Sequence, residues 1–126
     1  MPMGTRADFT ALEWAGLKCE TRVYLVEVAR QQRTVYYKDV AQQFKDRRLH
    51  HKSEAMVDLL GEISAEEHAA GRPLLSAVVV RNDPELPIPG RGFFRLARNL
   101  GSMSKTADKV VFWKAELQRV CKYPWP

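Results

Sequence analysis

The sequence predicts a single helix-rich α+β domain, and three observations carry that prediction. A chain of 126 residues is long enough for one hydrophobic core and too short for two. Met56, Leu59, Leu60 and Ile63 fall at i, i+3, i+4 and i+7, the spacing of a helix with one buried face. Leu74 to Arg81 reads LLSAVVVR, a short and almost uninterrupted apolar run suited to a strand buried on both faces.

The elements follow in order. Asp8 is placed to cap a short helix over residues 8–17 with Phe9, Leu12 and Ala15 on one face and Gly16 ending or loosening it. Residues 20–32 are dense in apolar side chains between polar ends, which predicts a second, largely buried helix. Thr34 to Tyr37 is β-branched and aromatic, a short strand. Val40, Ala41 and Phe44 then share one face of a two-turn helix over 39–44, and Lys45 to Lys52, KDRRLHHK, reads as a basic turn. Ser53 caps the next helix; Ser64 with Glu67 matches a capping box, so a break and restart is expected there. Gly71 closes that helix and Pro73 prevents its continuation.

After the apolar strand, Pro84, Pro87, Pro89, Gly90 and Gly92 exclude regular structure from 82–92. Phe93, Leu96, Ala97 and Leu100 form a short helix stopped by Gly101, and residues 102–105 are a polar linker. A last helix over about 106–122 buries Val110, Trp113, Leu117, Val120 and Cys121. Trp125, between Pro124 and Pro126, either folds back onto the core or stays out as an anchor for a partner. Strand, helix, basic turn, long helix, apolar strand and Pro/Gly-rich loop is the order of a winged helix-turn-helix. The expectation is therefore one domain over 1–126, with a winged-helix-like core over about 20–94 and a C-terminal helical extension over about 93–122.

Charge is unevenly placed. The net charge of +5 hides an acidic helix between two basic segments. Residues 53–70 hold five acids and no Lys or Arg, whereas 1–52 and 71–126 hold ten basic side chains each. Such polarity reads either as internal compensation or as a surface that attracts phosphate on one side. Lys38, Lys45, Arg47, Arg48, Lys52, Arg81, Arg91 and Arg95 are the candidate phosphate contacts of a DNA-binding face. The alternative for each is an ordinary solvated charge on a turn. Glu54, Asp58, Glu62 and Glu66 recur every four residues and form a stripe. Pressed into a groove, that stripe would lie within a Debye length, about 8 Å, of phosphates. It therefore needs basic partners, for which Arg95, Arg98, Lys105 and Lys109 are the candidates within the chain.

Other classes find little support in the residues. Glu62, Glu66, Glu67 and His68 lack metal-ligand spacing, and no Cys/His pattern suits zinc. Ser76 has no Gly-x-Ser-x-Gly elbow around it and reads as a core hydroxyl; Gly90-Arg91-Gly92 is too short for a phosphate-binding fingerprint. No catalytic constellation, cofactor site or metal site is expected. Nothing approaches the roughly 20 apolar residues of a membrane span, and Met1 to Asp8 lacks a secretory layout. With Cys19 and Cys121 far apart and read as idle thiols, the expected location is the cytoplasm.

The stretch 23–94 resembles the winged DNA-binding domain of the alkyltransferase and alkyltransferase-like proteins. The likeness lies in VYLVEVARQQRTVYYKDVAQQF, the helix that follows, and LLSAVVVRND before a glycine-containing loop and aromatics. It covers a little over half the chain. The family's Pro-Cys-His-Arg acceptor motif is absent: Leu75 takes the place of the reactive cysteine, followed by Ser76 and Ala77. The resemblance implies a winged fold and DNA binding without alkyl transfer. The expected function is a non-catalytic, regulatory or accessory protein that binds double-stranded DNA. The alternative is a protein-interaction module of the same fold that uses the acidic helix 53–70, and a protein partner or a homodimer is a further expected assembly.

Overall fold

The computed structural model describes residues 4–126. The first three residues of the Met1–Asp8 segment lie outside the described residues. The architecture is helix-rich α+β, with five α-helices around a two-stranded sheet among the described residues.

Helix α1 (Ala11–Arg30) replaces the two helices expected over 8–17 and 20–32. Thr10, not Asp8, is its N-cap: the Thr10 hydroxyl accepts from Glu13 N at 3.0 Å, and Glu13 accepts in return from Thr10 N at 2.8 Å. Asp8 serves a separate short turn by accepting from Thr5 N at 2.9 Å. Gly16 sits inside α1 and does not end it. A helical glycine costs only about 1 kcal/mol, and burial of Trp14, Leu17, Thr21, Leu25 and Val28 along one face outweighs that.

Strand β1 (Val35–Tyr36) leads directly into α2 (Tyr37–Gln43). A basic turn follows, and Ser53 caps α3 (Glu54–Ala69) by accepting from Met56 N at 3.1 Å. The expected break at Ser64 is absent because both capping-box side chains are engaged elsewhere. Ser64 is buried and shares a 2.7 Å hydrogen bond with Ser76, while Glu67 lies between Arg22 and Arg72. Gly71 ends α3 at φ +79°, with Arg72 N donating to Glu67 O and Gly71 N to His68 O, the Schellman arrangement.

The apolar run 74–81 is the largest departure from expectation. Leu75–Val78 forms a 3-10 turn, leaving only β2 (Val79–Val80) as strand. Helix side chains claim the groups a longer ladder would need. Leu74 N donates to Glu116 Oε2 at 2.8 Å, Ser76 N to Ser64 Oγ at 3.0 Å, and the Trp113 indole to Ala77 O at 2.9 Å. The turn packs on α1, α3 and the last helix, so every residue from Leu74 to Val80 is buried. β1 and β2 pair in parallel, Val35 with Val79 and Tyr36 with Val80.

The segment after β2 forms no hairpin. Arg81 N donates to Ile88 O at 2.9 Å and Ile88 and Pro89 are buried, but its prolines withhold the amides an antiparallel ladder requires. Among the described residues the sheet is thus a single two-residue parallel pair, β1 with β2, followed by an irregular loop. Helix α4 (Arg91–Asn99) ends at Gly101, again at φ +79°, and α5 (Lys109–Lys122) starts three residues later than expected, capped by Asp108. Trp125 folds back and is buried: its indole donates to Val120 O at 2.9 Å, and Arg30 donates to Trp125 O at 2.9 Å.

Candidate nucleic-acid interface

Four segments of the chain meet at one cleft of about 600 Å³. The β1–α2 junction contributes Tyr36, Tyr37 and Lys38. The turn entering α3 contributes His51, Lys52 and Ser53, and the end of β2 contributes Arg81 and Asn82. The start of α4, Gly90 to Phe93, completes the mouth. Met56, Val57, Leu60, Phe93 and Leu96 supply an apolar wall behind these groups.

Local chemistry fixes the geometry. The Tyr37 hydroxyl accepts from Gly90 N at 2.8 Å, which fastens the α4 N-terminus to α2. Burial pushes the Tyr37 phenol above its ordinary pKa, against the opposing pull of Gly90 N–H and Arg81, so it keeps its proton at neutral pH. A Cβ on Gly92 would stand 3.0 Å from Val57 Cγ1. Glycine there lets α4 approach α3 closely. The first turn of α4 carries no acidic residue, and Gly90 makes no side-chain cap. Gly90 N and Phe93 N are already paired, so the Arg91 and Gly92 amides, with the positive dipole end, remain at the cleft mouth. His51 stacks on His50 with centroids 4.6 Å apart. Burial, then the nearby His50, Lys52 and Lys38, depresses the His51 pKa and favours the neutral ring.

The eight candidate cations do not form one cluster. Lys38, Lys52, Arg81 and Arg91 line the cleft. Arg47 and Arg48 turn instead toward α1, where Arg47 pairs with Glu20 at 2.6 Å and Arg48 with Glu13 at 3.4 Å. Arg48 also lies over the Phe9 ring at 5.5 Å and adopts φ +60°. Lys45 and Arg95 are exposed and lie outside the cleft lining. Tyr36, Tyr37 and Asn82 belong to the cleft although sequence reasoning assigned them no binding role, and His51 of the basic turn lines it too. The adjacent His-Lys and Tyr-Tyr-Lys pairs were the available signal, an aromatic or imidazole beside a cation in a turn.

The acidic stripe divides in the same way. Glu62 accepts from the Trp14 indole at 3.1 Å and pairs with Lys18 at 3.2 Å and Arg6 at 3.7 Å; Glu66 pairs with Lys18 at 2.6 Å. Those partners come from the N-terminal segment and α1, in place of the expected Arg95, Arg98, Lys105 and Lys109. Glu54 and Asp58 are exposed and make no ion pair among the described residues. Among the described residues, no group of three or more His, Cys, Asp or Glu side chains is placed to hold a metal ion, and no helix is long and apolar enough to cross a membrane. Comparison with protein-family models, curated proteins and solved structures gives no match.

Proposed function

We propose that this chain is a non-catalytic accessory protein that binds double-stranded DNA, holding backbone phosphate with Lys38, Lys52, Arg81 and Arg91. One observation carries the reading: these four cations come from four separate segments of the chain and line the same cleft. The uncapped N-terminus of α4 adds amides suited to an anion. Pairing of Glu62 and Glu66 with Lys18 and Arg6 removes half of the acidic stripe as an obstacle. Each phosphate contact adds about 0.9 to the steepness of salt dependence.

The test is a pair of double variants assayed on one labelled duplex. Lys52→Glu with Arg91→Glu should lose most of the affinity and flatten the salt dependence. Arg47→Glu with Arg48→Glu should lose less, because those guanidinium groups already face Glu20 and Glu13. Equal losses from the two variants would reject the cleft as the binding face.

A second reading is supported by the α3 edge of the same cleft, where Val57 forms part of the wall. Glu54 and Asp58, without ion-pair partners among the described residues, flank Val57, which is 53% exposed. A basic protein partner would meet an apolar side chain between two carboxylates there. Glu54→Lys with Asp58→Lys should then abolish capture of that partner, whereas on the DNA reading the same change strengthens duplex binding.

A further inference from the structure

Phosphates held at the mouth leave the interior of the cleft unused. Its wall is apolar and partly aromatic, formed by Tyr36, Met56, Val57, Leu60, Phe93 and Leu96. About 600 Å³ falls within the range of roughly 300–1,000 Å³ usual for small-molecule pockets. We infer that the cleft binds a free nucleoside phosphate, with the phosphate among Lys38, Lys52, Arg81 and Arg91 and the base against the Tyr36, Phe93 and Leu96 wall.

Three features select this class. The anion is required by the four cations and the α4 amides, an assignment that rests on the phosphate-binding reading above. A flat apolar body is favoured by the aromatic and aliphatic wall. Polar edges on that body are matched by the Asn82 side chain and the Tyr37 hydroxyl, whose proton has no acceptor among the described residues. A fatty acid would leave those polar groups without partners, and inorganic phosphate would leave the wall uncovered. A nucleoside phosphate satisfies both parts. Because it uses the same cations as a duplex, it competes with DNA, which makes the cleft a point where a small molecule sets DNA affinity.

Gly61 provides the means to test this. It lies on the α3 side of the cleft, and a Cβ there meets nothing within 4 Å. Leucine at 61 therefore extends into open space while keeping α3 helical.

The experiment is isothermal titration of the purified chain with AMP, GMP, CMP and UMP, beside inorganic phosphate and the matching nucleosides. At least one nucleotide should bind saturably and at least tenfold more tightly than phosphate or its own nucleoside. Gly61→Leu should weaken that binding at least tenfold while circular dichroism stays unchanged. Should the variant misfold, backbone amide shifts of the wild-type chain replace it; the nucleotide should move Gly61, Gly92 and Leu96. Nucleotides that bind no better than phosphate, or shifts that avoid these amides, overturn the inference. Duplex binding is measured separately. A chain that binds duplex but no nucleotide loses only this inference, and one that binds nucleotide but no duplex loses only the DNA reading.

Discussion

Glu67 is a buried carboxylate held by two arginines. Its side chain is buried between Arg22 of α1 and Arg72 beyond the end of α3. Burial works to raise its pKa, but the hydrogen bonds and charges of the two arginines outweigh that and hold it below the ordinary carboxylate range. A depressed carboxyl contributes stability that is complete above its unfolded pKa of about 4.3. That contribution is lost as pH falls through the lower folded value. Glu67→Gln should accordingly lower stability at pH 7 by about 1–2 kcal/mol, because the partly exposed Arg22 and Arg72 regain water, and should reduce the loss of stability on acidification. Denaturant melts from pH 7 to pH 3 check both effects. A variant that keeps the wild-type pH profile would assign the acid sensitivity to another carboxylate, with Glu62 the next candidate. Sequence reading placed Glu67 in a capping box with Ser64. Nothing in the spacing of one helix shows that arginines distant in sequence converge on it.

At the scale of elements, glycine separates two situations that look alike in sequence. Gly71 and Gly101 end α3 and α4 at φ +79°, and both stops were legible because a helical pattern runs into a lone glycine. Gly61 lies inside α3 with open space around its Cβ position. Gly71→Ala should destabilise by about 1 kcal/mol. Gly61→Ala should stabilise by about 0.5–1 kcal/mol, because alanine suits a helix interior better. Thermal melts of the two variants should move in opposite directions. The packing face of α3 was legible because one buried face leaves a period in the sequence: Met56, Leu59, Leu60 and Ile63 are all buried, whereas the continuous α1 was read as two helices. The strand over 74–81 was misread for a physical reason. A run buried on every side has no period, so composition alone cannot separate a strand from a 3-10 turn whose polar groups are taken by Ser64, Trp113 and Glu116.

Over the whole molecule, the C-terminal tail closes the fold. Trp125 is buried, and Arg30 at the end of α1 holds its carbonyl. Trp125→Ala should cost about 3–5 kcal/mol, measured by urea unfolding; an unchanged midpoint would mean that the tail is not part of the core. The sequence left open whether this tryptophan plugs the core or faces a partner, because that choice depends on packing between chain ends. The same limit applies to charge. Basic segments were visible, but their division into a cleft set and an α1-paired set was not. Arg47 and Lys52 lie five residues apart, yet one faces Glu20 and the other lines the cleft. The central claim is that Lys38, Lys52, Arg81 and Arg91 act together on phosphate. The most direct test is fluorescence anisotropy of the wild-type chain on a random labelled duplex across a salt series. Four phosphate contacts predict log affinity falling against log salt with a slope of about −3 to −4. A slope near zero, or no binding at about 50 mM salt, would contradict the account.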